Sequence, residues 1–254
     1  MATATEDAFP TTEKALAANY GSKIDLTLSP SDEMYNGDMR RYLRVAYSGL
    51  RLINLSLLAA GAAAPRSILD LPCGHGRMLR LLRVVFPDAE ITATDLNHDA
   101  VDFCAAQFGV HGVYSATSAR DIPIDRNFDL LWCGSLLTHL REDRWPEFLE
   151  YFCARLNPGG MAVFTTHGSL TASWLTSGQY LYGLDRSAAD RVLEGYRATG
   201  FGYADYQTGS EYGVSLSSIG WVHDAVARVA GWRLVACFPT AWDDHHDFWA
   251  CVRI

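Results

Sequence analysis

The sequence has no CxxC pair, no secretory start, no basic tract, and no apolar run approaching the ~20 residues that a bilayer span needs. Each absence removes a class of protein. The six cysteines, Cys73, Cys104, Cys133, Cys153, Cys237 and Cys251, are scattered, mostly among apolar neighbours. They read as free thiols acting as small hydrophobes in a reducing compartment. Residues 1–20 lack a charged start followed by an apolar stretch, so no leader is expected. Lys and Arg number 21 against 29 Asp and Glu, giving a net charge of −8. That balance disfavours a broad nucleic-acid or anionic-membrane surface, which needs concentrated cations. Arg40, Arg41 and Arg44 form the one notable basic cluster, explained by a solvated helix face. What is present is globular: 254 residues, 49% of them hydrophobic, enough for one sizeable core. A cytoplasmic protein without membrane insertion is the expectation.

The order of patterns is more informative. A short helix is expected over Thr12–Ala18 in an otherwise loose start, with Ser31 or Asp32 capping the next helix. Met39, Tyr42, Leu43, Ala46, Leu50, Ile53 and Leu57 recur at three- and four-residue spacing, which predicts that helix over Asp38–Ala60. Strands are then expected at 67–71, 90–95, 112–116, 128–134 and 161–166, with helices between them. Asn97 is placed to cap one helix and Gly109 to end it. Pro146 suits the start of another. Residues 156–160, LNPGG, carry a turn signal. Short apolar strands alternating with helices imply a parallel sheet covered on both faces. The alternation weakens from 168 to 217, where only Ala188–Thr199 reads as helical. A helix over Ser218–Ala230 and strands at 232–238 and 247–254, joined by a polar turn, close the chain. The organisation expected is a helical cap over residues 1–62 and an α/β domain over 63–254. Within it, 168–217 forms a lid or a long structural crossover.

Residues 68–79 read ILDLPCGHGRML. Gly74 and Gly76 follow an apolar strand and precede a helix. In an open α/β sheet, ligands bind at the carboxyl ends of strands. Glycine there permits positive φ and close approach to a ligand. The third position of a dinucleotide fingerprint is Leu79, not glycine, and there is no phosphate loop of the GxxxxGK type. The pattern therefore points to a nucleoside-type ligand without favouring NAD or ATP. Asp95 ends the second strand, where a carboxylate can accept both ribose hydroxyls; a solvated turn is the alternative.

Four segments together, ILDLPCGHGR, ATD at 93–95, SARDIPIDRNFDLLWCGSLLTHL and LNPGGMAVFTT, resemble the motifs of the class I S-adenosylmethionine-dependent methyltransferases. The resemblance spans roughly residues 65–168. It implies a Rossmann-like, mostly parallel seven-stranded sheet with helices on both faces and an antiparallel last strand. It implies S-adenosylmethionine as cofactor, with Asp70, Gly74 and Gly76 around the methionyl part. Asp95 would take the ribose hydroxyls, bordered by Leu96, Asn97 and His98. Where the family often has an acid near the adenine, this chain has Ser118, which offers a hydroxyl, followed by the Ala119 amide. Cys133 and Ser135 would approach the methyl centre. Pro72 replaces the family's first glycine. It fixes φ, cannot donate, and predicts an extended or turn-like backbone at the strand end.

Methyl transfer from a sulfonium needs alignment and, for a hydroxyl acceptor, a base. His167, after the fifth strand, and His139, after the fourth, are the candidate bases, although His139 also suits helix packing. Tyr35, Trp174, Tyr180 and Tyr212 are aromatic candidates for stacking on an acceptor, or for lid core or a homodimer face. The cluster Asp243, Asp244, His245 and His246 suits substrate contact, with a solvated turn as the rival. Divalent metal binding is the weaker reading there, so no metal ligand is assigned. The acceptor expected is a small-molecule or saccharide hydroxyl. An amine, RNA or protein acceptor, or cofactor binding without transfer, are the competing readings.

Overall fold

The computed structural model describes residues 10–254. In chain order the elements are α1 (Glu13–Tyr20), α2 (Met39–Ala60), β1 (Ser67–Asp70), α3 (Leu79–Val85), β2 (Glu90–Asp95), α4 (His98–Phe108), β3 (His111–Tyr114), β4 (Phe128–Cys133), α5 (Trp145–Ala154) and β5 (Leu156–His167). There follow α6 (Ser169–Ser177), α7 (Arg186–Thr199), β6 (Phe201–Asp205), β7 (Gly213–Ser217), α8 (Ile219–Ala227), β8 (Trp232–Trp242) and β9 (His246–Arg253).

Seven strands form one sheet in the order β3-β2-β1-β4-β5-β9-β8. The first five are mutually parallel, and β9 runs antiparallel to both β5 and β8. This is the mostly parallel, Rossmann-like arrangement with a reversed last strand. Alternation along each strand separates two cores. Ile68, Leu130, Trp132 and Val163 face one side with the buried residues of α2, α3 and α4. Leu69, Leu131, Cys133 and Phe164 face the other, against α5 and α8. Strand order reverses between β1 and β4, which opens a crevice at their carboxyl ends.

Local chemistry sets the boundaries. The Asn97 side chain accepts from the Ala100 amide at the start of α4, and Gly109 ends it in the left-handed region. Asp38 caps α2, accepting from the Arg40 and Arg41 amides. Neither Ser31 nor Asp32 does so, because Asp32 instead accepts from the Tyr42 hydroxyl at 2.6 Å. The expected loose start departs from the structure over its described part. Leu16 and Ile24 are buried in the same core as α2 and the sheet, while residues 1–9 lie outside the described residues. The NPGG turn falls inside β5 as a register shift. Leu156 sits opposite Phe128, and Met161 opposite Leu130. Leu71–Pro72 is a cis peptide.

The segment 168–217 holds more structure than its composition suggests. α6, α7 and the antiparallel β6–β7 hairpin enclose a small separate core of Leu175, Leu184, Ala189, Val192, Val214 and Leu216. Among the described residues, no helix is long and apolar enough to cross a membrane.

Candidate active site

A cleft of about 620 Å³ opens at the carboxyl ends of β1, β2 and β4. Asp70, Pro72, Gly74, Asp95 and Leu96 line one side. Ser135, His139 and Tyr212 line the other, the last supplied by the turn of the β6–β7 hairpin. Gly74 has φ +48°, and a Cβ placed there meets nothing within 4 Å, so its backbone is open to a ligand. Its amide donates to Asp95 Oδ2 at 2.8 Å, while Asn97 N donates to Oδ1 at 2.9 Å. The two bonds fix the Asp95 carboxylate at the end of β2.

Asp70 is the electrostatic anomaly. It is 1% exposed, and neither carboxyl oxygen has a hydrogen-bond partner. Burial drives its pKa well above the usual carboxylate range, and the nearby Asp95 charge adds to the rise. A buried, unsatisfied acid on a cleft wall costs stability and awaits a cation or donor. Arg77 lines the same cleft and makes no hydrogen bond or ion pair among the described residues, placing a free guanidinium there. Its flat head lies 5.8 Å from both the Tyr42 and Trp242 rings. An unpaired carboxyl and an unpaired guanidinium on one cleft suit a zwitterionic amino-acid moiety. Sequence reasoning missed Arg77. Its only signal was a charged residue directly after the glycine pair.

His139 is the titratable group on the opposite wall. Its Nδ1 lies 2.8 Å from the Gly213 carbonyl oxygen. A carbonyl can only accept, so in the neutral ring Nδ1 carries the hydrogen and Nε2 keeps the lone pair. Burial pushes its pKa below the ordinary histidine value, opposed by the Gly213 bond. The ring is therefore neutral and basic at Nε2 near neutral pH. Tyr212 stacks on it with centroids 4.7 Å apart. Ser135 sits at φ +66°, its amide donating to Thr165 Oγ1.

Several expected residues fall elsewhere. Gly76 does not line the cleft; at φ +83° a Cβ there would overlap the Phe108 ring, so packing against α4 requires the glycine. Ser118 and Ala119 also lie off the cleft, whose wall is built from Ser115, Ala116 and Thr117 instead. The Ser118 hydroxyl is tied to Glu147 and caps a short helical turn, and Ala119 is fully buried. Cys133 points into the α5 side of the sheet, because residues of β4 alternate and Trp132 takes the cleft side. Tyr35 packs edge-on against Tyr42, 5.9 Å away, outside the cleft. His167 does not reach the cleft, because β5 runs one residue further than expected and pairs His167 with His246. His245, His246 and Trp174 gather around it instead, with Trp174 5.3 Å from the His245 ring. Tyr180, 56% exposed, stands beside Trp174. The structure thus brings the predicted residues together in two groups, one on the cleft and one behind it.

Residues 68–160 match a sequence family described as a methyltransferase domain. The match falls on the stretch whose motifs resemble the class I S-adenosylmethionine-dependent methyltransferases. The chain is 29% identical over 153 residues to a fatty-acid O-methyltransferase of Mycolicibacterium smegmatis, covering 58% of this chain and 51% of the relative. It is 24% identical over 151 residues to a malonyl-[acyl-carrier protein] O-methyltransferase of Halalkalibacterium halodurans, covering 57% and 55%. The chain thus spans about half the length of these curated relatives. The N-methyltransferase NodS of Bradyrhizobium japonicum, solved with S-adenosyl-L-homocysteine, matches in fold with a TM-score of 0.53 at 14% identity, covering 96% of this chain and 98% of that one. The methyltransferase fold therefore extends well beyond the matched motif region.

Proposed function

We propose that the chain transfers a methyl group from S-adenosylmethionine to an oxygen of a small molecule or saccharide. The observation that carries the cofactor part is the pairing of Asp70 and Asp95 on one cleft wall, one orphaned and one clamped by Gly74 and Asn97. Asp95 would hold the ribose hydroxyls. Asp70 would face the cationic side of the methionyl group, and Arg77 its carboxylate. Leu96, 55% exposed, offers an apolar surface beside them for the adenine.

When bound, S-adenosylmethionine supplies an electrophilic methyl on a sulfonium that departs as a neutral sulfide. The chain's task is then alignment and proton removal. His139 Nε2 would accept the proton that the acceptor hydroxyl gives up on methylation. The Gly213 carbonyl holds the tautomer that makes this possible and stabilises the imidazolium that results. Tyr212 covers the His139 ring and limits water. Support for an oxygen acceptor comes from this base and from the names of two of the curated relatives, a fatty-acid and a malonyl-[acyl-carrier protein] O-methyltransferase. The acidic chain does not favour a nucleic-acid acceptor.

The test is transfer of labelled methyl from S-adenosylmethionine into fractionated cell extract, followed by acid and base hydrolysis of the product. Label in small or glycan material as an ether or ester is expected. Label in RNA, protein or an amine would overturn the acceptor assignment.

A further inference from the structure

Behind the cleft lies a cluster that the proposed reaction does not use. His167 ends β5 and His246 begins β9, directly opposite in register, with His245 next to it in the turn. One ring nitrogen from each lies within 4.8 Å of the others. Centroids are 4.7 Å apart for His167–His246 and 4.3 Å for His245–His246. His167 and His246 are 2% and 5% exposed.

Three imidazoles rarely share a buried space without a reason. His167 Nδ1 is buried and has no hydrogen-bond partner, a cost to the fold if nothing binds it. The other two rings each have a partner at Nδ1. His245 Nδ1 lies 2.7 Å from the Asp243 carbonyl oxygen, so it carries the hydrogen and leaves Nε2 with the lone pair. His246 Nδ1 lies 3.3 Å from Thr165 Oγ1. One ring nitrogen anchored to a carbonyl or hydroxyl, with the other free, is the support that metal-ligating histidines use.

We propose that His167, His245 and His246 form a binding site for one divalent cation of the zinc class. Three nitrogen donors suit Zn2+ or Co2+, and not Mg2+ or Ca2+, which prefer oxygen. Nitrogens around a tetrahedral Zn2+ stand about 3.4 Å apart, so the rings must close inward on binding. His245 is the least buried of the three. Three protein ligands leave a fourth position for water or another donor. The site joins the cleft wall through Thr165, whose hydroxyl accepts from the Ser135 amide and lies 3.3 Å from His246 Nδ1.

The test uses the full, untagged chain, stripped with a chelator and titrated with Co2+ alone, without cofactor. Saturable one-to-one binding with visible d–d absorption, displaced by Zn2+ and not by Mg2+, is expected. No thiolate charge-transfer band should appear, despite six cysteines. His245→Ala, the least buried of the three, should weaken binding at least about a hundredfold while circular dichroism stays native. His167→Asn serves as a second variant. Absent saturable binding in the wild type, a thiolate band, or unchanged affinity in a folded His245→Ala would each overturn the site. Binding of S-adenosylhomocysteine is measured separately on the same protein, so either assignment can fail alone.

Discussion

The two walls of the cleft are built in different ways. The glycine-turn wall comes from one stretch of chain, from Asp70 to Asn97, and its hydrogen bonds close over short distances in sequence. The opposite wall joins His139 to Gly213, 74 residues away, through a hairpin with its own small core. The first wall is a local consequence of strand, turn and helix; the second exists only once the cover segment has folded and docked. A wall of the first kind suits an invariant ligand such as a cofactor. A wall of the second kind is where a different acceptor can be accommodated by changing one segment.

Substitutions can break this division of labour, and the largest effect is expected on the assembled wall. His139→Gln should lower kcat by about 10²–10⁴-fold, the usual worth of a general base. S-adenosylhomocysteine affinity should stay near normal. The acidic limb of the wild-type pH–rate profile should lie below the ordinary histidine value of about 6.5, because burial lowers the His139 pKa. Steady-state kinetics across pH checks both; a limb above that value would contradict the assignment.

On the local wall the effect shifts from turnover to binding. Asp95→Ala should weaken S-adenosylhomocysteine binding by about a hundredfold, since it would remove the proposed charge-assisted contacts to the ribose and frees the Gly74 amide. Gly76→Ala should destabilise the fold by about 2 kcal/mol without a direct ligand contact. The left-handed backbone and the Phe108 ring both oppose a side chain there. Urea unfolding measures it; a neutral result would mean that the turn and α4 can shift apart.

The smallest effect sharpens the electrostatics. Asp70 has a raised pKa when folded, so as pH rises above the unfolded value the unfolded chain ionises more readily and stability falls. Asp70→Asn should therefore raise the stability of the ligand-free protein at neutral pH by about 1 kcal/mol. The gain should shrink as pH falls toward about 4, where the unfolded carboxyl also keeps its proton. The same variant should bind cofactor more weakly. A variant less stable than wild type at neutral pH would show that Asp70 is satisfied in the free protein.

The same contrast explains what the sequence revealed. Asn97 and Gly109 bracket α4 because caps act within a few residues. Asp70, Gly74 and Asp95 were legible because strand ends and glycine turns carry their own signals. The β6–β7 hairpin was not, since its Gly, Ser and Tyr content reads as loop until α7 packs on it. Ser118 and Cys133 lie off the cleft because motif position fixes a loop, not which side chain turns inward. His167 was read as a base at a strand end, yet β5 continues through it and buries it against β9. His245 and His246 meet His167 only through that antiparallel pairing, a contact no local spacing encodes.

The most direct test of the cofactor cleft is calorimetric titration of S-adenosylhomocysteine into wild type, Asp95→Ala and His139→Gln. One-to-one binding in the wild type is predicted, strongly weakened in Asp95→Ala and kept in His139→Gln. No binding by the folded wild type, or equal loss in both variants, would contradict the account.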